Sequence, residues 1–201
     1  MKTKFPLFIL IISILCLAVD CDRDKDRPTY YLDQEIKDYT LFPIGSYWIY
    51  KDSLTNNIDT VSIISQTIGI YTEGEEPFKW EVFSQNKYSS YNNDTVFGFG
   101  ESCTLDSEGS CTYGEKGWCR FFSQKEIGYI FQNYLLYENY YDSLFINNKW
   151  YKEIKVFKFS FNSPDTSIIE RYYYGKHIGL IKKENADSSE NWLLTSYHIN
   201  N

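Results

Sequence analysis

The chain has 201 residues, with 20 Lys+Arg against 27 Asp+Glu and a net charge of −7. Its acids are scattered and no basic face offsets them, which excludes the phosphate-neutralising surface that nucleic acid demands. Tyr, Phe and Trp number 19, 14 and 5, while alanine occurs only at Ala18 and Ala186, a balance that disfavours helix and suits strand. A+T-rich coding also favours Tyr, Phe, Ile, Asn and Lys, so the aromatic excess is not by itself a binding surface.

In chain order, Lys2 and Lys4, an apolar run from Phe5 to Val19 and a short end at Cys21 form the three parts of an export signal over residues 1–20. A run of fifteen residues containing Pro6 and Ser13 is short for a membrane span, which needs ~20. The stretch Leu17-Ala18-Val19-Asp20-Cys21 resembles a lipobox, in which the cysteine is acylated and becomes the first mature residue. Asp20 stands where Gly, Ala or Ser is usual, and ordinary cleavage near Val19 is the alternative. The resemblance makes Cys21 the site of lipid attachment and implies more than one palmitate-like chain, enough for stable anchoring.

Residues 21–40 read as a charged tether and a short N-terminal segment. Asp22-Arg23-Asp24-Lys25-Asp26-Arg27-Pro28 alternates charge and cannot bury anything. Its three aspartates have the spacing that opens a calcium loop, but Arg27 and Asp33 occupy the glycine and glutamate positions, so no metal is expected. Charged segments at this place also resemble the surface-export signals of Bacteroidota-type lipoproteins. One short helix is predicted over 33–39.

From residue 41 to 201 the chain reads as a single β domain. Strands are predicted over 46–51, 59–71, 78–85, 95–103, 118–123, 128–137, 150–161, 167–174, 177–183 and 192–199. Phe157, Phe159 and Phe161 alternate with Val156, Lys158 and Ser160, and Ile169, Arg171 and Tyr173 alternate with Glu170, Tyr172 and Tyr174. Short connections at Asn56-Asn57, Asn92-Asn93, Asn147-Asn148 and Ser163-Pro164 read as turns. Sequential strands with short links imply an antiparallel meander of about 8–10 strands, all-β, forming a curved sheet or partly open barrel.

Phe42-Pro43-Ile44-Gly45-Ser46-Tyr47-Trp48-Ile49-Tyr50 and Tyr174-Gly175-Lys176-His177-Ile178-Gly179-Leu180-Ile181-Lys182, followed by Trp192-Leu193-Leu194-Thr195-Ser196-Tyr197, resemble the opening and closing segments of a group of Bacteroidota-type cell-envelope lipoproteins. The resemblance implies an antiparallel sheet curling into a partly open barrel, and no known activity. Gly45 and Gly179 suit tight backbone positions, and Trp48, Tyr50 and Trp192 read as core or seam packing rather than ligand contacts.

Beyond Cys21 the cysteines are Cys103, Cys111 and Cys119. In an exported protein one bridge and one leftover thiol is the natural reading. A hairpin loop over 104–110 favours Cys103–Cys111 over Cys103–Cys119. No Cys-x-x-Cys pair exists and both histidines are remote, which argues against a metal site. His177 and His198 lie in no nucleophile motif, Glu73, Glu75 and Glu76 read as a solvated turn, and there is no phosphate-binding glycine loop, so neither a catalytic residue nor a cofactor is expected.

Asp52-Ser53-Leu54, Asp59-Thr60-Val61, Asp94-Thr95-Val96 and Asp142-Ser143-Leu144 match the Asp-Ser/Thr-apolar pattern that Bacteroidota-type envelope proteins use for O-glycosylation, making Ser53, Thr60, Thr95 and Ser143 candidate acceptors. The plain alternative is that Asp-Ser/Thr starts strands after turns. Taken together, a membrane-anchored, non-enzymatic lipoprotein of the cell envelope is expected, in the outer membrane, binding a hydrophobic or glycan ligand or an envelope partner. An envelope hydrolase or enzyme accessory using carboxylates, and a purely structural surface protein, are the alternatives.

Overall fold

The computed structural model describes residues 27–72, 78–102, 111–115, 118–123, 126–131, 134–162, 167–187 and 189–200. Among them, thirteen strands form one sheet: β1 (Thr29–Tyr30), β2 (Tyr47–Asp52), β3 (Ile58–Tyr71), β4 (Lys79–Ser89), β5 (Asp94–Ser102), β6 (Cys111–Glu115), β7 (Trp118–Phe122), β8 (Ile130–Phe131), β9 (Leu135–Ile146), β10 (Lys149–Asn162), β11 (Ser167–Gly175), β12 (Gly179–Asn185) and β13 (Asn191–His198). One helix, α1 (Gln34–Thr40), precedes β2. The sheet is all-β and curved, as predicted, but it has more strands than the predicted 8–10 and is mixed, because β1 pairs parallel with β4.

Two antiparallel meanders, β2 to β7 and β8 to β13, are joined edge to edge by the pairing of β13 with β2. The strand path therefore begins at β7 and ends at β8, two strands that are neighbours in sequence yet share no ladder. Asparagines make the tight reversals. Asn56, Asn93, Asn147 and Asn148 all adopt positive φ, as the Asn-Asn turn readings require.

Helix α1 lies within the curl. Asp33 caps it by accepting from the Glu35 amide, and Ile36 and Tyr39, one turn apart, point into the core. They pack with Phe83 of β4, Phe121 and Phe122 of β7, and Phe157, Phe159, Tyr172 and Tyr174 of β10 and β11. The folded unit thus draws on residues before 41. A second cluster joins Trp48, Tyr50 and Ile63 to Ile154, Ile181 and Leu194. The tip of the long β9–β10 hairpin reaches β13, where Asn147 donates to the Leu194 carbonyl and Lys149 to that of Thr195. Glu153, at positive φ, sits in β10 just before Ile154 and marks the break in that strand's alternation.

The α1–β2 link is pinned from β3 and β4: Gln66 and Gln85 each donate an amide hydrogen to the Phe42 carbonyl, at 3.0 and 2.9 Å. Gly45 (φ 88°) and Gly179 (φ 92°) hold left-handed turns, and a Cβ on Gly179 would stand 3.0 Å from the Phe42 ring.

Candidate functional site

The curl leaves a cavity of about 240 Å³ beside α1. Its inner wall is aromatic: Tyr39 from the helix, Phe42 from the link, Trp48 and Tyr50 from β2, Tyr172 and Tyr174 from β11. Its rim is built where three hairpins turn, by Asp59, Ser89, Tyr91, Asn92, Glu190 and Trp192. Tyr91 and Trp192 meet edge to face across the rim, with centroids 5.0 Å apart. Alternation explains why β2 contributes as it does, since Trp48, Tyr50 and Asp52 are buried on one face while Tyr47 and Lys51 are exposed on the other.

The polar atoms of these walls are committed elsewhere. The Trp48 indole donates to the Ile178 carbonyl, the Tyr50 hydroxyl to that of Leu180 (2.9 Å), the Tyr39 hydroxyl to that of Glu153 (2.7 Å), and Thr40 to that of Ile36 (2.6 Å). Tyr172 donates to the Glu170 carboxylate. At the rim Asp59 accepts from the hydroxyls of Ser89 and Ser90 and from the Tyr91 amide, which ties the β4–β5 turn down. Lys183 pairs with Glu170 at 3.0 Å and Glu190 at 3.8 Å. What remains facing the cavity is chiefly aromatic ring and aliphatic surface, the character of a site for an apolar molecule.

A second, polar cavity of about 460 Å³ lies on the other side of Tyr39, lined by Glu35, Asp38, Tyr137, Tyr140, Glu153 and Lys155 among others. Lys155 is 4% exposed, bonds Glu35 at 2.7 Å and lies 5.0 Å from the Tyr137 ring centroid. Burial pushes its ammonium pKa down, opposed by the Glu35 hydrogen bond. The phenols of Tyr39, Tyr137 and Tyr140 are all pushed up, chiefly by burial. Each acid here has a basic neighbour: Glu35 has Lys155, Glu153 has Lys176 at 3.0 Å, and Asp38 has Lys176 at 4.0 Å and His177 at 3.9 Å. That is an ion-pair network rather than a proton-sharing carboxylate pair. Among the described residues no group of His, Cys, Asp and Glu is arranged to hold a metal ion.

Of the predicted site residues that are described, Ser53, Thr60 and Thr95 stand at or beside the turns of the cavity rim, and Ser143 lies in β9. Cys21, Cys103, Glu73, Glu75, Glu76 and the Ser163-Pro164 turn lie outside the described residues, as do the side chains of Cys111 and Cys119. In the backbone, Ser102 faces Cys111 across β5 and β6, and Gly114 faces Cys119 across β6 and β7. Ser53, Thr95 and Ser143 are exposed and Thr60 is half-buried. Asp52 is buried and organises the β2–β3 turn by accepting from the amides of Leu54 and Thr55 and from that of Asn191. His177 sits at positive φ in the β11–β12 turn, and His198 packs against Tyr47 at the end of β13. Trp48, Tyr50 and Trp192 line the cavity as well as packing, a role that their positions in sequence do not reveal. Nothing in the sequence marks Lys155, since a lysine amid aromatic strand residues carries no sign of burial. Compared with known proteins, the chain matches no known family, no curated protein and no solved structure.

Proposed function

We propose that this chain is an exported lipoprotein of the cell envelope, held to the outer membrane by acylated Cys21, whose β domain is a non-catalytic receptor for a small apolar or aromatic molecule. The observation that carries the reading is the aromatic cavity in which the Trp48 indole and the Tyr39 and Tyr50 phenols are already bonded to backbone carbonyls and the Tyr172 phenol to Glu170. A glycan would ask those walls for unpaired donors and acceptors, so of the two ligand classes the apolar one is favoured. A volume near 240 Å³ suits a molecule of about two or three rings. The exposure of Ser53, Thr95 and Ser143 is compatible with their serving as glycan acceptors on the same exported surface.

The test has two parts. Intact mass of the chain from its native envelope should show a start at Cys21 with acyl increments, and hexose-sized increments if the four hydroxyls are modified. The neutral probe N-phenyl-1-naphthylamine should gain fluorescence on binding the domain, and Val61→Trp, which places a large ring at the cavity wall, should abolish that gain. Equal probe binding by parent and Val61→Trp would end the receptor reading. A mass without acyl groups would end the anchor.

A further inference from the structure

The polar cavity on the far side of Tyr39 takes its shape from strand register. Along β9 and β10 the pairing passes from Val156 with Asn139 to Phe157 with Tyr137, which leaves Glu138 as an extra residue. That bulge brings Tyr137 and Tyr140 to one face of β9, where Tyr140 stands across from Lys155 and Tyr137 across from Phe157. Helix α1 lines the same cavity with Glu35, Asp38 and Tyr39, whose spacing puts them on one helical face.

Lys155 has an uncommon setting for an amine. The rings of Tyr137, Tyr39 and Phe121 surround its Nζ at 5.0, 5.9 and 5.9 Å, and the Glu35 carboxylate bonds it at 2.7 Å. Burial lowers the ammonium pKa despite that carboxylate, so at neutral pH a larger share of Lys155 than of a surface lysine is neutral amine. Beside it, the Tyr137 hydroxyl has no hydrogen-bond partner among the described residues, although the side chain is only 3% exposed. That hydroxyl feels the Glu35 carboxylate and the Tyr140 phenol, both of which line the cavity, and burial keeps it protonated beyond the ordinary phenol range. It is a donor facing a space of about 460 Å³. An amine, a carboxylate that can hold its proton and a phenol donor are the groups that imine formation uses.

We propose that this cavity captures a small uncharged aldehyde as a reversible imine on Lys155, with Glu35 moving the proton and Tyr137 holding the carbonyl oxygen. Glu35 takes one proton from the ammonium, and the Nζ lone pair forms a bond to the carbonyl carbon while the C=O π pair moves onto oxygen, to which the Tyr137 hydroxyl donates. A second nitrogen proton passes to that oxygen and gives a carbinolamine. Glu35 then gives its proton to the new hydroxyl, the C–O bond breaks, water leaves, and the nitrogen pair completes the C=N bond. Ammonium and aldehyde thus become protonated imine and water, with the charge unchanged and nothing oxidised or reduced. The rings crowding Nζ favour an aldehyde over a ketone. Three carboxylates against two lysines on the cavity wall disfavour an anionic ligand. This site is separate from the aromatic cavity and independent of the anchor.

Reductive trapping tests it. The full chain is incubated at pH 7 with butanal and sodium cyanoborohydride, which reduces an imine to a stable secondary amine, and the alkylated lysines are followed over time by peptide mass spectrometry. Lys155 should be alkylated at least tenfold faster than Lys51 and Lys152, which are exposed. Tyr137→Phe keeps the ring and removes the hydroxyl, and should slow Lys155 at least fivefold while leaving Lys51 and Lys152 unchanged. Alkylation of Lys155 no faster than that of the exposed lysines overturns the proposal and leaves an ion pair that serves the fold alone. Fast alkylation that Tyr137→Phe does not slow overturns it too, since a lysine reached by local opening of the chain would ignore that hydroxyl.

Discussion

Phe121 of β7 and Phe157 of β10 lie with ring centroids 4.7 Å apart, joining two strands with no ladder between them. Both rings are fully buried, and Tyr174 and Phe122 complete the cluster around them. Side-chain packing thus spans the gap that backbone pairing leaves between the ends of the sheet. Phe121→Ala should lose about 3–5 kcal/mol in urea unfolding, as large core truncations do. Hydrogen exchange should accelerate in β7 well before it does in β12. Uniform acceleration across both would show that the gap is closed by something other than this ring.

A glycine and a phenylalanine show the same reliance on close fit. Gly100 of β5 lies opposite Phe83 of β4, and a Cβ built on it would stand 2.0 Å from that ring. Phe83 is 1% exposed and has nowhere to move. Gly100→Ala is expected to cost about 3 kcal/mol, the upper part of the range for overpacked cores. Adding Phe83→Leu should recover part of that loss, whereas independent, additive losses would refute the steric explanation.

The turns and the faces of β10 and β11 could be read in advance because the signal is local. Asparagine tolerates positive φ, and alternation placed Phe157 and Phe159 together on one face. The sequence marks β9 only at its start, because Glu138-Asn139-Tyr140-Tyr141-Asp142 alternates in neither charge nor hydropathy and its pairing with β10 comes from the Asn147-Asn148 turn. The parallel contact of β1 with β4 and the packing of α1 inside the curl depend on residues far apart in sequence, which no short window records. The cavity was illegible for the same reason, since Tyr39, Trp48 and Tyr172 come from three separated segments and read individually as core.

Three phenols, those of buried Tyr39 and Tyr137 and half-buried Tyr173, make the fold sensitive to alkali. Burial raises the pKa of Tyr39, Tyr137 and Tyr173 above the ordinary 10.0, and the Glu184 carboxylate adds to the effect at Tyr173. Above pH 10 the unfolded chain releases phenolic protons that the folded chain keeps. Stability contributed by these groups is therefore intact below pH 10 and falls as pH rises beyond it, by up to about 1.4 kcal/mol per pH unit for each. Tyr137→Phe keeps the ring stacked on Phe157 while removing one titrating group, so its urea midpoint should fall less steeply than the parent's between about pH 10 and 11.5. An unchanged slope would place the alkaline sensitivity elsewhere.

The Glu35–Lys155 pair gives the opposite sign on the approach to that range. Lys155 is buried among Tyr39, Phe121 and Tyr137, and its pKa lies below the ordinary 10.5 because burial outweighs the help of Glu35. Glu35→Gln removes the carboxylate at 2.7 Å and lowers the pKa of Lys155 further. With Glu35 itself about a third exposed, the loss at pH 7 should be about 2 kcal/mol rather than the roughly 3–5 of a fully buried pair. Between the lowered folded pKa and 10.5 the unfolded chain binds more protons than the folded one, so stability rises with pH there, and more strongly in the variant. The deficit of Glu35→Gln measured by urea unfolding should accordingly shrink as the pH is raised from 7 towards 10.5, as less of the cost of burying a charged Lys155 remains. Lys155→Met on the same background should restore most of the stability at pH 7, since an unbranched apolar chain fills the same space without a charge to desolvate. A deficit unchanged over that range, or a double variant no better than Glu35→Gln alone, would mean that Glu35 supports the helix by its position rather than by its charge.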